Sequence, residues 1–430
     1  MNYYSLHHKS PKVSFQEAVV RGIAPDKGLY FPEKINPLPK YFFKNIEHLS
    51  NNEIAFTLIR QFVGEEIPES TLKGIIADTL SFDFPVVEVE EDIYALELYH
   101  GPTMAFKDVG ARFMARCLSY FNRNNNNEVT VLVATSGDTG GAVASGFLGV
   151  KGVNVVILYP SGKVSEVQEK QLTTLGQNIR ALEVKGTFDD CQAMVKNAFL
   201  DKEITDKMQL TSANSINIAR WLPQMFYFAF TYKHLKGKGK PLVFSTPSGN
   251  FGNICAGMMA QQLGLPVSHF IASTNINRVV PDYMETGAYK PVPSFQTISN
   301  AMDIGDPSNF IRIQEIYKND FQNLKKHLSS YSFTDDETRM AMKYLYEMRN
   351  YIADPHGAVG YLGLKKYRKE NPENLGVFLE TAHPVKFLDV VEPVIGKKID
   401  FPPQIESVVH KTKKATMIAT YDELKSFLIR

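Results

Sequence analysis

The sequence predicts an α/β fold, a mostly parallel sheet covered by helices on both faces, preceded by a mainly helical N-terminal region. Three observations predict it. From Val86 onward, short β-branched runs alternate with helix-length periodic segments. Two of those runs pass directly into glycine-rich loops that open helices. Before about residue 90 the pattern is helical pieces broken by loops, with no long alternating strand. Strand, loop and helix in repetition build parallel sheets buried on both faces, and such sheets bind ligands beyond the carboxyl ends of their strands.

In chain order, Ser14-Phe15-Gln16-Glu17 has the form of a capping box and Ala24-Pro25-Asp26-Lys27-Gly28 that of a turn. The strand candidates are Val129 to Ala134, Val153 to Tyr159, Ile179 to Val184, Leu242 to Thr246, Val267 to Ser273 and Gly376 to Glu380. Helical patterns follow them, among them Ser165 to Leu175, which opens on a second capping signature, and Ile254 to Leu263. Asn122 to Asn127 and Lys236 to Lys240 read as solvated loops. Helices dominate again from Ser308 to Tyr351, where Thr334-Asp335-Asp336-Glu337 is another capping box. Gly357, Gly360 and Gly363 mark a helix face packed closely on its neighbour.

With 430 residues the chain has room for about three domains or two large ones. Its 44% apolar and 22% charged residues are those of a globular protein, and 47 Lys+Arg against 46 Asp+Glu leave a net charge of +1. No run of Lys/Arg offers a nucleic acid or an anionic membrane a patch to bind. Apolar runs such as Val155 to Leu158 fall far short of the ~20 residues a membrane span needs. Cys117, Cys191 and Cys255 lie far apart, and no His stands at zinc-ligand spacing, so neither a disulfide framework nor a metal site is expected. The polar start, with His7, His8, Lys9 and Lys12, does not read as a signal peptide, and a cytoplasmic location is expected.

The chemistry is concentrated after the strands. Val129 to Ala134 runs into Thr135-Ser136-Gly137-Asp138-Thr139-Gly140-Gly141, and Leu242 to Thr246 into Pro247-Ser248-Gly249-Asn250-Phe251-Gly252-Asn253. At a helix N-terminus the unpaired N–H groups and the positive dipole end suit a phosphate, and glycine lets it approach; each loop taken alone is equally a capped helix start. Neither is a P-loop or a dinucleotide fingerprint, so the guest is a smaller phosphate ester than ATP or NAD. Lys107, between Phe106 and Asp108 in a turn after the apolar stretch Ala95 to Tyr99, is either a salt-bridged surface lysine or a partly buried, nucleophilic amine. An amine for an aldehyde and a cup for a phosphate are what pyridoxal 5'-phosphate requires. Ser212 to Arg220 adds side-chain donors and a guanidinium, readable as a phosphate site or as a helix cap with a surface arginine. Thr381, after Gly376 to Glu380, is a cap or a cofactor contact, and His383 reads as structural.

These segments, in this order, resemble threonine synthases: His100 to Phe113, Thr135 to Gly140, Ser212 to Asn217, Pro247 to Asn253 and Glu380 to Phe387, with Ala24 to Pro32 extending the likeness over nearly the whole chain. Lys27, Met104 and Gly141 depart from the family's usual Gly, Leu and Ala. The resemblance implies the tryptophan-synthase-β-like fold (fold type II) of pyridoxal phosphate enzymes, with an N-terminal helical domain at 1–90, a catalytic region of two α/β subdomains at 91–395 and a C-terminal extension at 396–430. It implies that Lys107 bonds the cofactor's aldehyde, that Gly249, Asn250, Phe251 and Asn253 cup its phosphate, and that Thr381 meets its pyridine nitrogen. Ser136, Thr139, Asn214 and Arg220 would face the substrate's phosphate. The implied reaction converts O-phospho-L-homoserine and water to L-threonine and phosphate. A serine or threonine dehydratase of the same fold, and a non-catalytic pyridoxal phosphate or phosphate-ester binding protein, are the alternatives; monomer and homodimer are both compatible with the sequence.

Overall fold

The computed structural model describes residues 1–123 and 128–430. Helices make up most of the regular structure of the N-terminal region, as its periodicity predicts, but it opens with a small antiparallel sheet: β1 (Asn2–Ser5), β2 (Val13–Ser14) and β3 (Tyr30–Pro32), in the order β2-β1-β3. These strands are two to four residues long, too short to leave a period-2 signal. Ser14 caps the helix Phe15–Arg21 by accepting from the Glu17 amide, while the Glu17 carboxylate pairs with Arg21 and does not complete a box. The helix Asn51–Val63 presents Ile54, Leu58, Ile59 and Phe62 to the core at helical spacing.

Two sheets carry the rest, a division that strand periodicity alone does not reveal. The larger has six strands in the order β12-β11-β10-β13-β5-β4, and the smaller five in the order β14-β8-β7-β6-β9. In chain order, β4 (Val86–Glu90) and β5 (Ile93–Glu97) form a hairpin in the larger sheet. Then β6 (Val129–Ala134), β7 (Val153–Pro160), β8 (Ile179–Val184) and β9 (Gln209–Ser212) make most of the smaller one. The chain returns to the larger sheet with β10 (Leu242–Pro247), β11 (His269–Thr274), β12 (Leu328–Ser332) and β13 (Leu375–Glu380). It ends by adding β14 (Thr416–Ile418) in parallel to β8. All pairings in these two sheets are parallel except β4 with β5.

Strands β6, β10 and β13 are buried along their whole length, the continuous apolar pattern of strands covered on both faces. The unforeseen β12, Leu-Ser-Ser-Tyr-Ser, is a half-buried edge strand with too little apolar character to be read. Ser165 and Thr334 each close a complete capping box. The glycine face of the helix Pro355–Arg368 does pack closely: a Cβ on Gly357 would lie 2.0 Å from Glu380 Oε1 and one on Gly363 1.9 Å from Ser273 Oγ. Asn122 is no solvated loop residue but the buried end of a helix, its amide donating to the Gly152 carbonyl at 2.8 Å. The rest of that asparagine run, 124–127, lies outside the described residues. Lys236–Lys238 forms a short 3-10 turn, tied to the N-terminal region by Lys236 and Glu47.

Candidate active site

The two glycine-rich loops belong to different sheets. β6 delivers 135–137 to the N-terminus of the helix Asp138–Phe147, and β10 delivers 248–251 to that of the helix Gly252–Gln262. Both open into one cavity, which Lys107, Gly249, Asn250, Phe251, Asn253, Thr381, Ser136, Thr139, Asn214 and Arg220 all line. The fold thus brings together every site residue read from the sequence.

Lys107 is the first residue of the helix Lys107–Asn122, not a turn residue. It is not paired with Asp108, whose buried carboxylate accepts from the Thr103 amide at 2.9 Å and the Thr103 hydroxyl at 2.5 Å. Burial pushes the Lys107 amine down to about 8 from an ordinary 10.5; Asp138 opposes the shift, and Lys386 and Arg220 reinforce it. Such an amine is neutral far more often than a surface lysine at pH 7, which is what a nucleophile toward an aldehyde needs.

On the β10 side, Phe251 precedes its helix in the left-handed region (φ 60°), costly for a bulky residue. Its ring is held edge-on to Phe310 at 5.7 Å. That conformation leads the loop into the helix, whose first residues, Gly252, Asn253 and Ile254, line the cavity. A Cβ on Gly249 would lie 2.8 Å from the Ala301 oxygen and from Met302 Cα, so only glycine passes there. The Asn250 side chain is used in the fold, accepting from the Ser308 hydroxyl at 2.8 Å. Asn253 is the opposite case: it is 7% exposed, and both polar atoms of its amide are buried without a partner. A buried amide unpaired on both sides is costly, and a phosphate group in the cup would accept from its Nδ2. The residues present therefore fit pyridoxal phosphate.

Arg220 is no surface arginine. It is 3% exposed, one of its terminal nitrogens donates to the Ala213 carbonyl, and its Nε is buried without a partner. Burial lowers its proton affinity to about 10, which leaves it charged at neutral pH. Asn217, not Asn214, caps the helix Ile218–Trp221, accepting from the Ala219 amide at 3.0 Å. Asn214 lies in the cavity wall and donates to the Ala134 carbonyl at 3.2 Å. Thr381 is no cap either: the cap of the following 3-10 turn is His383, whose Nδ1 accepts from the Val385 amide at 3.1 Å. The Thr381 carbonyl accepts from Phe106 N at 2.9 Å, which fixes the end of β13 beside Lys107 and leaves the hydroxyl for the cavity.

Reading along the chain missed the roles of Lys386, its partner Asp138 and His356. Lys386 is fully buried and pairs with Asp138 at 2.6 Å, and His356 lines the cavity with its ring held by Asp354 at 2.6 Å and accepting from the Ala301 amide at 3.2 Å. Lys386 and Asp138 lie on distant segments, so spacing along the chain carries no signal of their pairing, whereas Asp354 and His356 are two residues apart.

A family model described as pyridoxal-phosphate dependent enzyme matches residues 80–379, one described as threonine synthase N terminus matches 2–80, and one described as threonine synthase, C-terminal matches 357–428. Curated threonine synthases are similar along essentially their whole length: that of Serratia marcescens is 41% identical over 100% of this chain and 99% of its own, and that of Escherichia coli 42% over 94% of each. The chain belongs to the threonine synthase family. Among solved structures, the E. coli threonine synthase superposes with a TM-score of 0.94 at 39% identity over 100% of this chain and 99% of its own. The pyridoxal-phosphate-bound threonine synthase of Brucella melitensis gives 0.93 at 32%, covering 100% and 98%. A tomato threonine deaminase, at 15% identity and a TM-score of 0.57 over 77% of this chain and 94% of its own, shares the fold alone. The fold is thus that of pyridoxal phosphate enzymes of fold type II, and the chain is a pyridoxal-phosphate-dependent lyase of threonine biosynthesis. The dehydratase and non-catalytic alternatives are not favoured. No helix among the described residues is long and apolar enough to cross a membrane.

Proposed function

We propose that this cavity carries out threonine synthesis with Lys107 as its catalytic amine, Gly249 to Asn253 as the cofactor's phosphate cup, Thr381 at the pyridine nitrogen, and Ser136, Thr139, Asn214 and Arg220 around the substrate's phosphate. The observation that carries the reading is a half-buried amine of lowered proton affinity in one cavity with two helix N-termini and two sets of buried, unpartnered donors, on Asn253 and Arg220. One phosphate belongs to the cofactor and the other to O-phospho-L-homoserine.

When bound, pyridoxal phosphate supplies the electron sink that acidifies the substrate's Cα and then its Cβ proton. The chain's residues do the rest. Lys107 would hold the cofactor through its aldehyde and be freed by the substrate's amine; its own amine, with a proton affinity near neutrality, could then take the Cα and Cβ protons, deliver one to Cγ once phosphate has left, and return the other at Cα. Arg220 and the N-terminus of the helix Asp138–Phe147 take up the charge of the phosphate as it leaves Cγ. Water then adds at Cβ. Thr381 offers the pyridine nitrogen a neutral hydroxyl, which holds it protonated less firmly than a carboxylate would. In the same reading 1–90 is a separate N-terminal domain, 91–395 holds the chemistry and 396–430 buttresses the smaller sheet through β14. The three reduced cysteines support a cytoplasmic setting.

The test is covalent. Borohydride reduction of the purified holoenzyme, digestion and mass spectrometry should place the pyridoxyl group on the Lys107 peptide. Recovery on any other lysine would refute the assignment.

A further inference from the structure

Asp138 and Lys386 form a buried ion pair that the reaction as described does not use. Lys386 is 0% and Asp138 5% exposed, and their charged atoms lie 2.6 Å apart. A pair this deep is costly unless other groups complete its hydrogen bonding, and here they do. Gln168 Nε2 donates to the same Asp138 oxygen at 3.0 Å, and Lys386 Nζ also donates to the Thr103 carbonyl at 2.9 Å, where Gln171 Nε2 donates at 3.0 Å. Asp138 further opens the helix Asp138–Phe147, where the helix dipole favours a carboxylate.

The connections give the pair its direction. Thr103, which Lys386 grips, also binds Asp108, so the turn that starts the Lys107 helix is locked to the loop that carries Asp138. Gln168 in turn fits over Gly137, where a Cβ would lie 2.4 Å from its amide and where φ is 136°, so the loop holds close the side chain that donates to Asp138. Of the charged groups whose fields act on the Lys107 amine, Asp138, Lys386 and Arg220, only Asp138 is negative. Asp138 faces both lysines, which hold its carboxyl well below the usual carboxylate range against the opposing effect of burial.

Building on the assignment of Lys107 above, we propose that Asp138 is the counter-charge of the Lys107 nitrogen and Lys386 the positioning residue that holds it in place, so that the pair decides how readily that nitrogen keeps or gives up a proton during the reaction. Lys386 acts in two ways. It fixes the carboxylate, and by sharing its charge it prevents Asp138 from capturing Lys107 in a permanent ion pair. An amine held too tightly would be a poor base, and one with no counter-charge a poor acid.

The experiment is a pH titration of the visible absorption of the holoenzyme, which reports protonation at the Lys107 nitrogen, in the wild type, Asp138→Asn, Lys386→Met and the double variant. Removing the carboxylate should lower the midpoint, and removing the lysine should raise it, each by roughly one pH unit. Opposite shifts from the two halves of one ion pair are a signature that loss of packing would not give. Where a single variant leaves an unpaired buried charge and fails to fold, the double variant decides. It removes both charges, and because Asp138 outweighs Lys386 at Lys107 its midpoint should fall below that of the wild type. Midpoints that coincide, shift in the same direction, are absent from every form, or in the double variant do not fall overturn the proposal. Borohydride mapping of the same samples separates the two ways of failing: label on another lysine sinks the assignment of Lys107, whereas label on Lys107 with unmoved midpoints sinks this inference alone.

Discussion

Removing the cofactor exposes the property on which the chemistry turns. In the cofactor-free chain Lys107 is a free amine whose proton affinity is lowered to about 8 from 10.5, chiefly by burial. At pH 7 an amine at 8 is neutral in roughly one molecule in ten, an ordinary lysine in roughly one in 3000, so the reactive fraction differs about 300-fold. The sign follows from the cause. Burial disfavours the charged form, so the neutral nucleophile is already present near neutrality and increases little above the lowered midpoint. The assay is competitive acylation of the cofactor-stripped protein with a trace amine reagent at a series of pH values, resolved peptide by peptide by mass spectrometry. Labelling of Lys107 should rise with pH, level off near 8 and exceed that of surface lysines at neutral pH, while theirs keeps climbing past 10. A Lys107 profile that tracks the surface lysines through the whole range would refute the reasoning.

Three further expectations follow from the same geometry. Arg220→Met removes the guanidinium; if two charge-assisted bonds of ~1.5 to 3 kcal/mol are lost and half of that survives non-additivity, kcat/KM for phosphohomoserine should fall roughly 10- to 150-fold with cofactor content unchanged, and an unchanged kcat/KM would contradict the phosphate role. Gly249→Ala places a Cβ 2.8 Å from backbone atoms of Ala301 and Met302, so the cup must shift and cofactor affinity, followed by absorbance titration, should weaken roughly tenfold or more; full affinity would show that the loop does not hold the phosphate. Thr381→Ser should keep the visible spectrum and activity, and Thr381→Asp should disturb both, since a carboxylate would hold the ring nitrogen protonated; equal, near-native behaviour would leave Thr381 a strand end only.

Much of the site was legible because its chemistry is local. A strand, a glycine turn and a helix start lie within a few residues of one another, so Thr135 to Gly141 and Pro247 to Asn253 announce anion sites in the sequence, and Lys107 stands out beside them. The alternatives left open at Arg220 and Thr381 could be closed only by burial and by partners far along the chain: Arg220 proves buried, and His383 takes the capping role. The ion pair of Lys386 with Asp138 joins residues about 250 positions apart and leaves no trace in spacing. From the strand pattern alone the fold was legible in type but not in division. Parallel β-branched runs do not tell which strands share a sheet, and the polar edge strand β12 and the short β9 lack the apolar run that marks the buried strands. At the start of the chain, β1 to β3 are fixed by pairing with one another and not by their own pattern.

The account stands most directly on what the purified enzyme makes from O-phospho-L-homoserine. Threonine, inorganic phosphate and 2-oxo acid should be followed together in one reaction, with L-serine and L-threonine as parallel substrates. A second anion site built around Arg220 predicts threonine and phosphate in equal amounts, with little 2-oxo acid from any of the three. Brisk 2-oxo acid formation from serine or threonine, with no phosphate released from phosphohomoserine, would contradict it.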